Sequence, residues 1–258
     1  MKTFVVGNWK MNLTVGESSL FLQKLQKKIK PAKNLEVVVA PSAIALQTLS
    51  LQLERNKSKI KLAAQNFHYR DYGAFTGEIS VSQLHGIIKY AIVGHSERRH
   101  IFGETNREVK MKVAAAIRNN IRPIICIGET EGERASGETA DVIRDQLLSS
   151  LSEIDVEDFK KVIIAYEPVW AISGGKSSRA AAPDEVIDVI RLIHTTLADT
   201  YGKEIEENIP VLYGGSVNAD NAGAYLTMKG VNGLLIGGAS LMSEPFCDIV
   251  ETAKRVIA

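Results

Sequence analysis

A chain of 258 residues, 45% hydrophobic and 24% charged, holds enough apolar side chains for a large core and fits one sizeable α/β domain or two small ones. A formal net charge of +1 carries no basic excess, which argues against a nucleic-acid partner and for a small molecule. Two cysteines, Cys126 and Cys247, lie far apart without close Cys or His companions, so neither a disulfide framework nor a zinc site is expected. The first apolar run is cut short by Gly7 and no later run is long enough to span a bilayer, so a soluble cytoplasmic protein is expected.

Phe4-Val5-Val6 reads as a short buried strand ending in the polar run Gly7-Asn8-Trp9-Lys10-Met11-Asn12. A helix follows from Glu17 to Ile29, with Leu20, Phe21, Leu25 and Ile29 at helical spacing and Pro31 as its stop. The unit recurs in Val37 to Ala40 with a helix around Ala43 to Leu53, and in Ile60 to Ala64, which leads to a long loop. That loop, Phe67 to Glu78, sets Tyr69, Tyr72 and Phe75 around Gly73 and Gly77, more aromatic than a solvated connection needs. It is either an interface or a loop folded over its own domain.

The fourth strand, Tyr90 to Val93, runs into Gly94-His95-Ser96-Glu97-Arg98-Arg99, and the fifth, Ile124 to Ile127, into Gly128-Glu129-Thr130 and a helix from about Glu138 to Leu151. The sixth, Val162 to Ala165, delivers Tyr166-Glu167-Pro168-Val169-Trp170-Ala171-Ile172 and then Ser173-Gly174-Gly175-Lys176. Glu167 stands where the strand stops, and Pro168 narrows its backbone freedom, which suits a positioned base. The helix of this unit begins after Pro183-Asp184-Glu185 and carries Val186, Val189, Ile190 and Ile193. Val211 to Tyr213 ends in Gly214-Gly215-Ser216-Val217-Asn218, and Leu234 to Ile236 in Gly237-Gly238-Ala239-Ser240 before a last helix.

Eight strand and helix pairs without a linker, at a length near the ~250 residues usual for such a fold, predict one domain, 1–258, folded as a (β/α)8 barrel. A doubly wound open sheet would require GxGxxG after the first strand, and Gly7 to Asn12 does not supply it. In a barrel the C-terminal strand ends share one face, so Asn8, Lys10, His95, Glu129, Glu167, Ser216, Gly237 and Gly238 are expected to converge. Glycine pairs after the last two strands favour a phosphate site over plain tight turns. Gly175-Lys176-Ser177 lacks the first glycine of a Walker A loop, and Gly214-Gly215-Ser216 lacks the last glycine of a nucleophile elbow, so nucleotide and serine hydrolysis lose ground.

Five of these stretches, Gly7 to Asn12, Gly73 to Glu78, Gly94 to Arg99, Tyr166 to Trp170 and Tyr213 to Ser216, together resemble the triosephosphate isomerase family, in its order and over essentially the whole chain. The resemblance implies a TIM barrel and a cofactor-free isomerase, with no metal, that interconverts dihydroxyacetone phosphate and D-glyceraldehyde 3-phosphate in glycolysis and gluconeogenesis. By position it implies Glu167 as the base, His95 as the electrophile, and Lys10 and Asn8 beside the reacting oxygens. Trp9, Ser173, Ser216, Gly237 and Gly238 join the substrate contacts, with Glu97 and Cys126 in support. Pro168, Val169, Trp170, Ala171, Ile172, Ser173, Gly174, Gly175 and Lys176 correspond to a lid. Phe75, Thr76 and Gly77 correspond to the loop that enters a partner subunit, so a homodimer is implied. The chain departs from the family at Ser173, which replaces a glycine, and in the longer interval between Lys176 and Pro183. Another phosphosugar enzyme on the same barrel, or a catalytically silent binder, remains the alternative.

Overall fold

The computed structural model of the chain describes residues 1–172 and 179–258. Eight parallel strands close on themselves in sequence order: β1 (Thr3–Asn8), β2 (Leu35–Ala40), β3 (Lys61–Ala64), β4 (Tyr90–Val93), β5 (Arg122–Ile127), β6 (Ile163–Tyr166), β7 (Val211–Tyr213) and β8 (Gly233–Ile236). This is the (β/α)8 barrel. Closure leaves no free edge, and the two-residue pleat sends alternate side chains to opposite faces. Phe4, Val6, Val38, Ala63, Ile92, Ile124, Ala165 and Leu212 fill the interior, while Val5, Val37, Val39, Leu62, Ile125 and Ile164 face the helices. Both faces are apolar, which is why the strands read as continuous apolar runs.

Around the strands lie α1 (Val15–Lys28), α2 (Leu46–Arg55), α3 (Ser96–His100), α4 (Asn106–Arg118), α5 (Glu131–Ala135), α6 (Thr139–Leu151), α7 (Pro183–Tyr201), α8 (Lys203–Glu206), α9 (Ala222–Leu226) and α10 (Ser243–Ile257). Three start at reciprocal caps in which Thr14, Thr105 and Thr130 pair with Glu17, Glu108 and Glu133 three residues on. Each cap satisfies backbone donors at its helix start. No helix of the described residues is long and apolar enough to cross a membrane.

Two details differ from the periodicity. Leu20 of α1 is exposed, and Leu22 is buried with Phe21 and Leu25; the adjacent apolar pair allowed either phase of the stripe. The count of eight strand and helix pairs fails in the third unit, where the long loop after β3 is followed by a single 3-10 turn, Ser82–Leu84, and, among the described residues, no α-helix. Gly73, Gly77 and Gly86 adopt φ of 140°, 90° and 79°, and residues in that half of backbone space interrupt a right-handed helix.

Candidate active site

The C-terminal strand ends form a cleft of about 190 Å³ lined by Asn8, Lys10, His95, Glu167, Ile172, Gly214, Gly215, Val217, Leu235, Gly237, Gly238, Ala239 and Leu241. Asn8 closes β1, and its Oδ1 accepts the Lys10 N–H at 3.1 Å. Lys10 itself holds a left-handed φ of 50°, which for a residue bearing a Cβ costs about 1–3 kcal/mol. Its carbonyl accepts from Gln65 Nε2 at 2.8 Å, and the same amide donates to the Ala40 carbonyl at 2.8 Å. Gln65 thereby ties the strained residue to the end of β2. The Lys10 ammonium reaches Glu97 Oε1 at 2.5 Å and lies beside Gly237.

His95 is the N-cap of α3, and its Nδ1 accepts the Glu97 N–H at 3.2 Å. That bond leaves the ring proton of a neutral imidazole on Nε2, 3.2 Å from Glu167 Oε1. Glu167 Oε2 accepts the Ser96 N–H at 3.2 Å. Both side chains are almost wholly buried. Burial pushes the Glu167 carboxyl up, but the charge and hydrogen bond of His95 more than reverse it and hold the group below its ordinary value. Burial likewise pulls His95 down, and the Glu167 carboxylate more than offsets it, so the imidazole sits above its ordinary value. The rise belongs to the Glu167 contact and falls away once that carboxylate turns toward another partner.

Two glycines make the space for the base. A Cβ on Gly128 would lie 1.8 Å from the Glu167 carbonyl oxygen, and one on Gly214 would lie 2.9 Å from Glu167 Cγ. Real side chains do not tolerate approaches under 3.0 Å. Gln146 brackets Gly128 by accepting its N–H at 2.8 Å and donating to its carbonyl at 3.3 Å. Cys126, on β5, is buried, and burial raises its thiol well above the usual range, with the Glu167 carboxylate adding to the rise. It acts as a small neutral neighbour of the base.

Other expected residues fall around the cleft rather than in it. The Trp9 indole is fully buried and meets Phe21 edge-on at 5.2 Å, so it anchors the Asn8 to Lys10 turn from behind. Glu129 is buried below the cleft, where it accepts from Tyr166 Oη at 3.1 Å and Trp170 Nε1 at 2.8 Å. Ser216 sits between two lining residues, and its N–H donates to the Ala171 carbonyl at 3.0 Å. Pro168 precedes a short 3-10 turn, Val169–Ala171; the lid positions Ser173, Gly174, Gly175 and Lys176 lie outside the described residues. Gln65, Gln146, Gly128 and Leu235 are contributors that the motif reading passed over. Gln65 and Gly128 both follow a strand end, and that position was the one available signal.

The Phe75, Thr76 and Gly77 loop is exposed along its length, with Tyr72, Phe75 and Ile79 among its solvent-facing side chains. Near its base, a hollow of about 310 Å³ is lined by Lys10, Met11, Ser42, Gln65, Phe67 and Ile79, among others.

The model of the family described as triosephosphate isomerase matches residues 3–253. A protein named triosephosphate isomerase, from Natranaerobius thermophilus, is 37% identical over 255 residues, covering 98% of this chain and 97% of its own length. With the barrel, the cleft and both matches in agreement, the chain belongs to the triosephosphate isomerase family.

Proposed function

We propose that the cleft carries out the reaction of that family, the interconversion of dihydroxyacetone phosphate and D-glyceraldehyde 3-phosphate, with Glu167 as the base and His95 as the electrophile. A carbon-bound proton beside a carbonyl is only weakly acidic, so its removal needs a base in contact and donors already aimed at the oxygen that gains charge. Glu167 takes the proton from one carbon and returns it to its neighbour. His95 donates from Nε2 to the oxygens of the enediolate, and Lys10 and Asn8 stabilise the same charge. In this family a Glu carboxylate as base is paired with a neutral His as electrophile, and the Glu97 N–H on Nδ1 supports that pairing here. The observation that carries the reading is the 3.2 Å separation of His95 Nε2 and Glu167 Oε1 in a cleft that also holds Lys10 and Asn8. Catalysis then requires Glu167 to leave the Ser96 N–H and swing to the substrate carbon.

The phosphate is read as lying against the backbone of Gly237 and Gly238 and the N–H of Ser216. The start of a 3-10 turn, Gly238–Leu241, supports that placement, since backbone donors gather at such a start. Ser173 and the rest of residues 168–176 are read as the lid over it. The whole chain, 1–258, is taken as one domain. The exposed aromatic loop around Phe75 and the mixed polar and apolar hollow beside Lys10 support a homodimer in which each loop enters the other subunit's hollow. The two free cysteines suit a cytoplasmic setting, and the near-neutral charge suits a small sugar phosphate and no nucleic acid.

The test is turnover of D-glyceraldehyde 3-phosphate by the purified protein and by Glu167→Asp. Shortening the carboxylate arm by one methylene withdraws the base by roughly 1 Å, and kcat is expected to fall about 100-fold. Equal rates in the two proteins would remove Glu167 from the chemistry.

A further inference from the structure

Trp170 is held from several sides. Its Nε1 donates to Glu129, and the guanidinium carbons of Arg134 and Arg179 lie over its ring at 4.3 and 4.9 Å from the centroid. Glu185, near the start of α7, fixes both arginines. Arg179 donates to its two oxygens at 2.6 and 2.7 Å, and Arg134 donates to Oε1 at 2.9 Å. The paired donation gives the Arg179 fork one orientation. One residue beyond Trp170, the Ala171 carbonyl accepts the Ser216 N–H. That N–H is a donor that a bound phosphate would need for itself.

We propose that Arg179 is a positioning residue: fixed by Glu185, it pins the Trp170 indole beside Glu129 and so keeps the Ala171 carbonyl on the Ser216 N–H, an arrangement that phosphate binding must undo. The inference rests on the reading of Ser216 as a phosphate contact. The pin stabilises the arrangement without ligand and weakens ligand affinity by the same factor. A partly exposed cation on an indole contributes about 0.5–1 kcal/mol, which corresponds to roughly a two- to fivefold change in affinity.

The experiment compares wild type with Arg179→Ala and Arg179→Lys. Glycerol 3-phosphate, which has the phosphate but no carbonyl to isomerise, gives Kd; D-glyceraldehyde 3-phosphate gives KM and kcat. The two tryptophans of the chain, labelled as fluorotryptophan, give two fluorine NMR resonances, and Trp170→Phe assigns them. In Arg179→Ala, Kd and KM are expected to fall about two- to fivefold with kcat changed less. The Trp170 resonance should move while that of buried Trp9 stays. Arg179→Lys keeps the charge and loses the planar fork, so it should fall between wild type and Ala. An unchanged or weaker Kd in Arg179→Ala, or an unmoved Trp170 resonance, overturns the role of Arg179 while leaving the catalytic reading intact. A wild-type protein that neither binds glycerol 3-phosphate nor turns over substrate overturns both.

Discussion

Gly128→Ala places a single methyl group where the barrel holds its base. The new Cβ would stand 1.8 Å from the Glu167 carbonyl oxygen and 2.6 Å from its carbonyl carbon. These are backbone atoms, which cannot rotate aside as the end of a side chain can. Gly128 cannot retreat freely, because Gln146 holds both its N–H and its carbonyl. Separation to an allowed contact therefore displaces the start of the Glu167 segment by roughly 1 Å, enough to cost about 100-fold in kcat. The same overpacking should destabilise the fold by about 1–3 kcal/mol, at about 2–4 °C of Tm per kcal/mol for a domain of this size. Turnover of D-glyceraldehyde 3-phosphate and a thermal melt measure the two effects, with Gly132→Ala as control because a Cβ there meets nothing within 4 Å. A Gly128→Ala enzyme with kcat within about threefold of wild type would refute the argument that strand-end geometry sets the position of the base.

His95→Gln removes the imidazole whose hydrogen bond, and whose charge when protonated, hold the Glu167 carboxyl below its ordinary value, and it leaves burial to push the carboxyl up. The acid limb of kcat/KM should therefore move to higher pH, beyond any fall in rate; a limb that stays in place would show that His95 does not set the ionisation of the base. Glu104 is buried, and although burial raises its pKa, Lys112 at 2.6 Å and Arg98 hold it below the ordinary value. Its folded pKa is depressed, so its contribution to stability is full above the unfolded pKa and is lost as pH falls through the folded one. Glu104→Gln should cost about 3–5 kcal/mol near neutral pH by leaving the buried Lys112 charge without a carboxylate, with only Asn66 still accepting from it, and should weaken the acid dependence in denaturant titrations. Phe75→Glu puts a charge on the proposed interface loop; sedimentation should then report monomers, with turnover down roughly tenfold because the hollow borders Lys10, and an intact dimer would remove Phe75 from the interface.

The local signals in the chain were enough for the strands, their order and the polar residues at their ends. Each strand is an apolar run closed by a polar or glycine-bearing turn, and in a parallel barrel all such turns face one way. Asn8, Lys10, His95 and Glu167 could be placed on one rim from that rule alone. The long loop after the third strand is legible in the sequence, but the eight-fold count of helices does not hold there, because Gly73, Gly77 and Gly86 divide the segment into turns. Leu20 faces solvent and Leu22 the core, because Leu20, Phe21 and Leu22 are adjacent apolar residues and only packing decides which of them turns inward.

What the tertiary structure decided concerns contacts between residues far apart in sequence, which no local pattern encodes. The proton on His95 Nε2 follows from the Glu97 N–H seated on Nδ1, and the ionisation of Glu167 follows from a histidine 72 positions earlier in the chain. The need for glycine at 128 and 214 arises from Glu167 passing close to both. Gln65 matters because its side chain meets the carbonyls of Lys10 and Ala40, and Arg179 because it meets Trp170 and Glu185. Sequence periodicity reports which face of an element is apolar; it does not report which polar atoms the closed barrel brings within hydrogen-bonding distance, and those distances set the chemistry.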